Sequence, residues 1–113
     1  MNFDYTQFFE TVGEDEDLVK ELISIFLEQY PQMMENIETA IKNKKSDEIH
    51  QTAHKLKGSL SSMCAVPSLD QIIALETMAI NQDLDNTEIT YNKLKKCVND
   101  LADELQDKME VLS

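Results

Sequence analysis

The sequence predicts an all-α fold, an antiparallel up-down four-helix bundle with a short additional N-terminal helix. Its 113 residues include only two glycines and two prolines, which are few for the many turns of a β fold. Apolar residues recur at steps of three and four through long segments, which is the spacing of one helix face. The breaks between these segments are short, so successive helices should run in opposite directions.

The first two helices should meet at Gly13. A short helix is predicted at about 5–11. The acidic run 14–17 favours a new helix start, because negative charge is stabilised at a helix N-terminus. The second helix should cover about 15–43, with a kink at Pro31. The apolar positions of these two helices are Phe8, Phe9, Leu18, Leu22, Ile25, Phe26, Met33, Ile37 and Ile41.

Three further helices complete the bundle. Ser46 and Asp47 can cap a third helix that runs to about Met63. Pro67 suits the first turn of a fourth helix, and a fifth should begin near Thr87. The fourth helix carries Leu69, Ile72, Ile73, Glu76 and Ile80, and the fifth has a seam of Tyr91, Leu94, Val98, Leu101, Leu105, Met109 and Leu112.

Composition excludes several classes of protein. The length fits a single domain over residues 1–113. A net charge of −12 argues against nucleic acid as a partner, because a basic face supplies most of that affinity. No apolar run approaches the ~20 residues that a membrane span needs, and the first residues lack a signal-peptide pattern. We therefore expect a cytoplasmic protein that binds no membrane, with Cys64 and Cys97 as thiols.

The basic residues are concentrated in one window. All ten are lysines, and five of them (Lys42, Lys44, Lys45, Lys55 and Lys57) lie between positions 42 and 57. With Asp47 and Glu48 the window sums to 5 − 2 = +3. Such a window could steer an anionic group toward it, or it could be an ordinary solvated helix face.

The segment 53–59 combines residues that suit phosphoryl chemistry. His54 is a competent nucleophile, and Lys57 can neutralise an anion bonded to it. Gly58 costs about 1 kcal/mol inside a helix relative to alanine, and the close approach of a partner would explain it. At about 100° per residue, His54 lies roughly 140° from the centre of the buried stripe of its helix. That stripe comprises Ile49, Ala53, Leu56, Leu60 and Met63, and the outer stripe comprises His50, His54, Lys57, Gly58 and Ser61.

The motif resembles that of the histidine-containing phosphotransfer (HPt) domain of two-component phosphorelays. The residues that carry the resemblance are His54-Lys55-Leu56-Lys57-Gly58-Ser59, followed by Ser61, Ser62 and Leu75-Glu76. One departure is Cys64, where the family commonly has glycine. Glu76 matches a family position, but it could equally be a polar residue that ties two helices together.

The resemblance implies a phosphorelay intermediate. His54 would accept a phosphoryl group from an aspartate of a receiver domain, and Lys57 would stabilise its charge. His50, Lys55, Gly58 and Ser61 would contact the partner. The partners would be response-regulator receiver domains, including that of a hybrid sensor kinase. Mg²⁺ would be bound by the receiver rather than by this chain. No Gly-rich nucleotide loop is present, so autokinase activity is not expected.

Two other readings stay open at this point. The chain could be a non-catalytic helical interaction module with a degenerate motif. His50 and His54, four residues apart, could instead chelate a metal, although Lys57 beside them disfavours a cation.

Overall fold

A computed structural model of the protein describes residues 4–112, which contain five α-helices. These are α1 (Tyr5–Thr11), α2 (Glu16–Lys42), α3 (Ser46–Ser62), α4 (Val66–Ile80) and α5 (Thr87–Leu112). Each of α2 to α5 packs against two of the others, and α5 closes the bundle against α2. The predicted four-helix bundle with a short N-terminal helix is confirmed. Within the described residues, every helix falls short of the length and apolar content that a bilayer span requires.

The core contains the stripes that the helical spacing predicts for α3 and α5. Ile49, Ala53, Leu56 and Leu60 are fully buried on α3, and Met63 is nearly so. On α5 the buried seam comprises Tyr91, Leu94, Val98, Leu101 and Leu105. The short helix α1 adds Phe8 to the same core cluster. The opposite face of α3 is therefore directed outward.

The buried face of α2 includes Phe26 and Ile37 as predicted, but it differs from the prediction at two positions. Leu18 and Ile25 are exposed, whereas the adjacent Val19 and Ile23 are fully buried. Apolar residues occupy neighbouring positions along α2, so the sequence contains two overlapping stripes, and packing in the bundle selects one of them. The helix is continuous through Pro31.

The caps account for where the helices begin. Asp4 and Asp15 accept hydrogen bonds from the backbone N–H groups of Gln7 and Leu18, respectively. The predicted cap of α3 is wrong, because Ser46 already lies in the helix and Lys45 is the N-cap residue without a side-chain hydrogen bond.

Four helices end on a residue with left-handed backbone conformation, which is Gly13 in α1 and a residue other than glycine in α2, α3 and α4. Lys44, Cys64 and Gln82 have φ values of 53°, 55° and 56°. Each of these residues directly follows the C-cap residue of its helix. The backbone N–H of the residue after it donates a hydrogen bond to the carbonyl five positions earlier, for example from Ala65 to Leu60 at 3.2 Å. This is the Schellman arrangement, in which glycine is usual. Cys64 thus adopts a conformation that favours glycine, at a conformational cost.

Candidate functional site

The active surface of α3 is centred on His54. Its side chain is 65% exposed, as the helical wheel predicts, because the buried stripe lies on the other side of the helix. Gly58 and Ser61 are exposed on the same face. A histidine here is accessible to another protein, which a core histidine is not.

Glu76 of α4 contacts both His54 and Lys57 of α3. Its Oε2 lies 2.7 Å from His54 Nδ1, and its Oε1 accepts a hydrogen bond from Lys57 Nζ at 2.7 Å. The Glu76 side chain is only 9% exposed, whereas that of Lys57 is 32% exposed. The carboxylate therefore connects α4 to α3 and lies deeper in the protein than the exposed imidazole.

The ionisation of Glu76 determines which ring nitrogen of His54 is available. Burial alone would raise the pKa of Glu76, but the hydrogen bonds from Lys57 and His54, together with their charges, outweigh burial and lower the pKa below its ordinary value of 4.5. At neutral pH the carboxylate is ionised and can only accept hydrogen bonds. Nδ1 of His54 must therefore carry the proton, and in the neutral ring the lone pair lies on Nε2.

His50 is a neighbour of this network rather than its centre. Its Nε2 lies 3.9 Å from Glu76 Oε2, too far for a hydrogen bond. The rings of His50 and His54 stack with centroids 6.0 Å apart and an interplanar angle of 28°. The His50 side chain is 42% exposed, so it forms part of the same surface.

A shallow depression of about 330 Å³ adjoins the imidazole. It is lined by His54, Lys57, Gly58, Ser61, Leu69 and Ile73. A Cβ atom built on Gly58 would meet nothing within 4 Å. The packing of this chain therefore does not require glycine at position 58, and the space above it is open.

The other lysines contribute less to the site than the charge tally indicates. Lys55 is exposed and does not line the depression. Lys42 pairs with Glu38 at 3.3 Å, and Lys45 with Glu48 at 3.9 Å. Much of the local positive charge is thus paired within the helices, and Lys57 is the lysine closest to the site.

Sequence reasoning assigned no site role to Leu69 and Ile73, and for Glu76 it left a site role and a structural role equally open. Glu76 is the one that carried a usable signal. It lies among the buried residues of α4, and a carboxylate on a buried face requires a partner. The identity of that partner, 22 residues away in sequence, is a property of how α3 and α4 pack.

The described residues offer no ready metal centre. Among residues 4–112, no three His, Cys, Asp or Glu side chains converge closely enough to hold a metal ion. His50 and His54 are instead turned toward a carboxylate that already has a lysine partner.

Two comparisons with known proteins concern the family and the fold of the chain. The model of the Hpt domain family matches residues 21–110. The structure superposes on the crystal structure of histidine-containing phosphotransfer protein B (HptB) from Pseudomonas aeruginosa PAO1 with a TM-score of 0.90, covering 96% of this chain and 95% of that chain. Sequence identity in that superposition is 17%, so it demonstrates a common fold. No curated protein matches the chain by sequence.

Proposed function

Since this chain belongs to the Hpt domain family, whose members act in two-component phosphorelays, we propose that it carries the phosphoryl group on His54. In this proposal the group comes from an aspartate of one receiver domain and passes to a second receiver domain. Receiver domains are the partners with which HPt domains interact, and the donor is proposed to be the receiver of a hybrid sensor kinase.

The contact between Glu76 and His54 carries the proposal. A hydrogen bond from Nδ1–H to the ionised carboxylate favours the tautomer with the lone pair on Nε2, in a side chain that is 65% exposed. A nucleophile needs this lone pair, and a partner protein needs the exposure.

The proposed step conserves atoms and charge. Nε2 of His54 attacks the phosphorus of the aspartyl phosphate, an N–P bond forms, and the P–O bond to the aspartate breaks, so that the aspartate carboxylate leaves. The imidazole keeps its Nδ1 proton and gains positive charge, which the carboxylate of Glu76 stabilises. The displacement is in line, and positioning and charge neutralisation contribute most of the catalysis. Reversal of these bond changes delivers the group to the second receiver.

Lys57 and Gly58 have supporting roles in this proposal. An ammonium group has three N–H donors, so Lys57 can hold Glu76 with one of them and still attract the phosphoryl oxygens. Gly58 leaves the surface low beside His54, where the loops of the receiver must approach. Ser61 and His50 border the same contact area, and Lys55 adds positive charge at its margin. The Mg²⁺ ion is proposed to be bound by the receiver domain.

The proposal is tested by incubating the chain with phosphorylated receiver domains of the source organism. We expect label to move to this chain in a form that is labile in acid and stable in base, as phosphohistidine is. Transfer should disappear in His54→Gln. If no receiver transfers acid-labile phosphate to the wild-type chain, the phosphotransfer function is wrong, and a non-catalytic interaction module is the better description.

A further inference from the structure

The outer face of α4 is unusual for so charged a protein. Charged residues make up 28% of the chain, yet between Gln71 and Ile80 the one charged residue is Glu76, which is buried against α3. Ile73 and Ile80 are instead 48% and 65% exposed. This part of α4 therefore presents an uncharged, apolar surface to solvent.

Three exposed residues of α4, together with the half-buried Leu69, form a strip along the helix. Leu69, Ile73, Thr77 and Ile80, which we call the α4 strip, lie within a sector about 80° wide at 100° per residue. Ile73 and Ile80 are seven residues apart, or about 10 Å along the helix axis. Leu69 and Ile73 also line the depression beside His54. The α4 strip thus begins at the candidate site and extends away from it toward the C-terminal end of α4.

We propose that the α4 strip is a docking surface for an apolar, uncharged surface of the receiver domain that reacts with His54. This inference rests on the function proposed above. A receiver whose aspartate reaches Nε2 of His54 must cover the depression, and the α4 strip continues that depression, with the exposed carboxylate of Asp70 at its edge. The same partner is therefore positioned to bury Ile73 and then Ile80.

A second copy of this chain is a poorer occupant. Each copy carries a net charge of −12, and the mutual repulsion opposes association. A contact between the α4 strips of two copies would also cover the depression at His54. A receiver domain, by contrast, must occupy that position for transfer to occur.

The α4 strip would also select among receivers. A receiver that places a charged side chain opposite Ile73 or Ile80 would have to bury that charge without a partner, which is costly. Discrimination of this kind depends on repelling unsuitable partners as well as binding the right one. We therefore expect the variants to affect recognition of the receiver and not the reactivity of the imidazole.

The experiment uses Ile73→Asn, Ile80→Asn and the double variant, with Val111→Asn as the matched control. Val111 is 77% exposed and lines a different cavity, near the start of α4. The probe is the phosphorylated receiver that transfers most rapidly to the wild-type chain. We expect kcat/KM to fall about fivefold for each single variant and about 25-fold for the double variant, from the apolar area left unburied. The rate at saturating receiver should stay unchanged.

A small phosphoryl donor separates docking from chemistry. Phosphoramidate needs no docking surface, so Ile80→Asn, whose residue does not line the depression, should acquire phosphohistidine from it at the wild-type rate. The α4 strip proposal is overturned if the wild type accepts phosphate from the receiver and both single variants retain kcat/KM within twofold, which leaves the proposed function standing. An equal loss in Val111→Asn, or a wild-type dimer that Ile80→Asn dissociates, also overturns it. Failure of the wild type to accept phosphate from any receiver removes the proposed function itself, and the docking role with it.

Discussion

Replacing Glu76 with glutamine removes the negative charge beside His54 and keeps the size of the side chain. Glu76 Oε2 lies 2.7 Å from His54 Nδ1. The His54 side chain is 65% exposed, so a water-like dielectric constant is the appropriate one. The attraction between unit charges at this distance is then about 1.5 kcal/mol. Because about 1.4 kcal/mol corresponds to a factor of ten, we expect Glu76→Gln to slow phosphoryl transfer to His54 about tenfold.

The assay is a single-turnover transfer from saturating phosphorylated receiver, so that docking does not limit the rate. Asp70→Asn is the matched control, because Asp70 is an exposed carboxylate on the same helix and its loss should leave the rate unchanged. Nitrogen NMR of the imidazole gives an independent readout. In Glu76→Gln the Nδ1–H tautomer of His54 should lose population to the Nε2–H tautomer.

Two results would refute this reasoning. One is a Glu76→Gln variant that transfers at the wild-type rate with an unaltered tautomer ratio, which would reduce Glu76 to a tie between α3 and α4. The other is an equal loss of rate in Asp70→Asn, which would attribute the effect to overall charge. Thermal unfolding of both variants checks that the fold is intact.

The remaining predictions concern docking, backbone strain and pH. Gly58→Gln should raise the melting temperature, because glutamine is the better helix former by roughly 0.5–1 kcal/mol and its Cβ would meet nothing within 4 Å. Calorimetry should nevertheless show that the variant binds the receiver more weakly. Unchanged binding would show that this glycine has no docking role. Gln82→Gly should stabilise the fold by about 0.5–1 kcal/mol, because φ at this position is 56° and glycine relieves the left-handed strain. The control Gln51→Gly, inside α3, should destabilise the fold by about 1 kcal/mol. If denaturant unfolding shows that both variants change the unfolding free energy in the same direction, the strain explanation is wrong. The pKa of Glu76 is lower in the folded state than its ordinary 4.5, so its stabilising contribution is complete above that pH and is lost as the pH falls through the folded value. The difference in unfolding free energy between wild type and Glu76→Gln should accordingly shrink below about pH 4.5, and a difference independent of pH would show that the ion pair contributes nothing.

Local signals predicted most of the fold. Helices α1, α4 and α5 begin within one residue of the starts predicted at about Tyr5, Pro67 and Thr87. The outward direction of His54 also follows from local information, because the buried stripe of α3 is regular. For α2 the local signal is ambiguous, since Leu18 and Val19 are adjacent apolar residues and only the packed bundle distinguishes them.

The chemistry of the site depended on information that is not local. The motif identifies His54 and Lys57, but the carboxylate that joins them comes from another helix. The depth of Glu76 and the hydrogen bond to Nδ1 are set by the packing of α3 against α4. The packing of the bundle also places Ile73 in the lining of the depression beside His54, because the exposure of Ile73 depends on which face of α4 is buried.

The central claim is that Nε2 of His54 carries the phosphoryl group. Phosphorus and nitrogen NMR of the chain after phosphorylation by a receiver domain tests it most directly, with His50→Gln and His54→Gln alongside the wild type. We expect one phosphorus–nitrogen bond, at Nε2 of His54, which persists in His50→Gln and is absent in His54→Gln. A phosphoryl group on Nδ1 of His54, on His50, or on neither histidine would contradict the account.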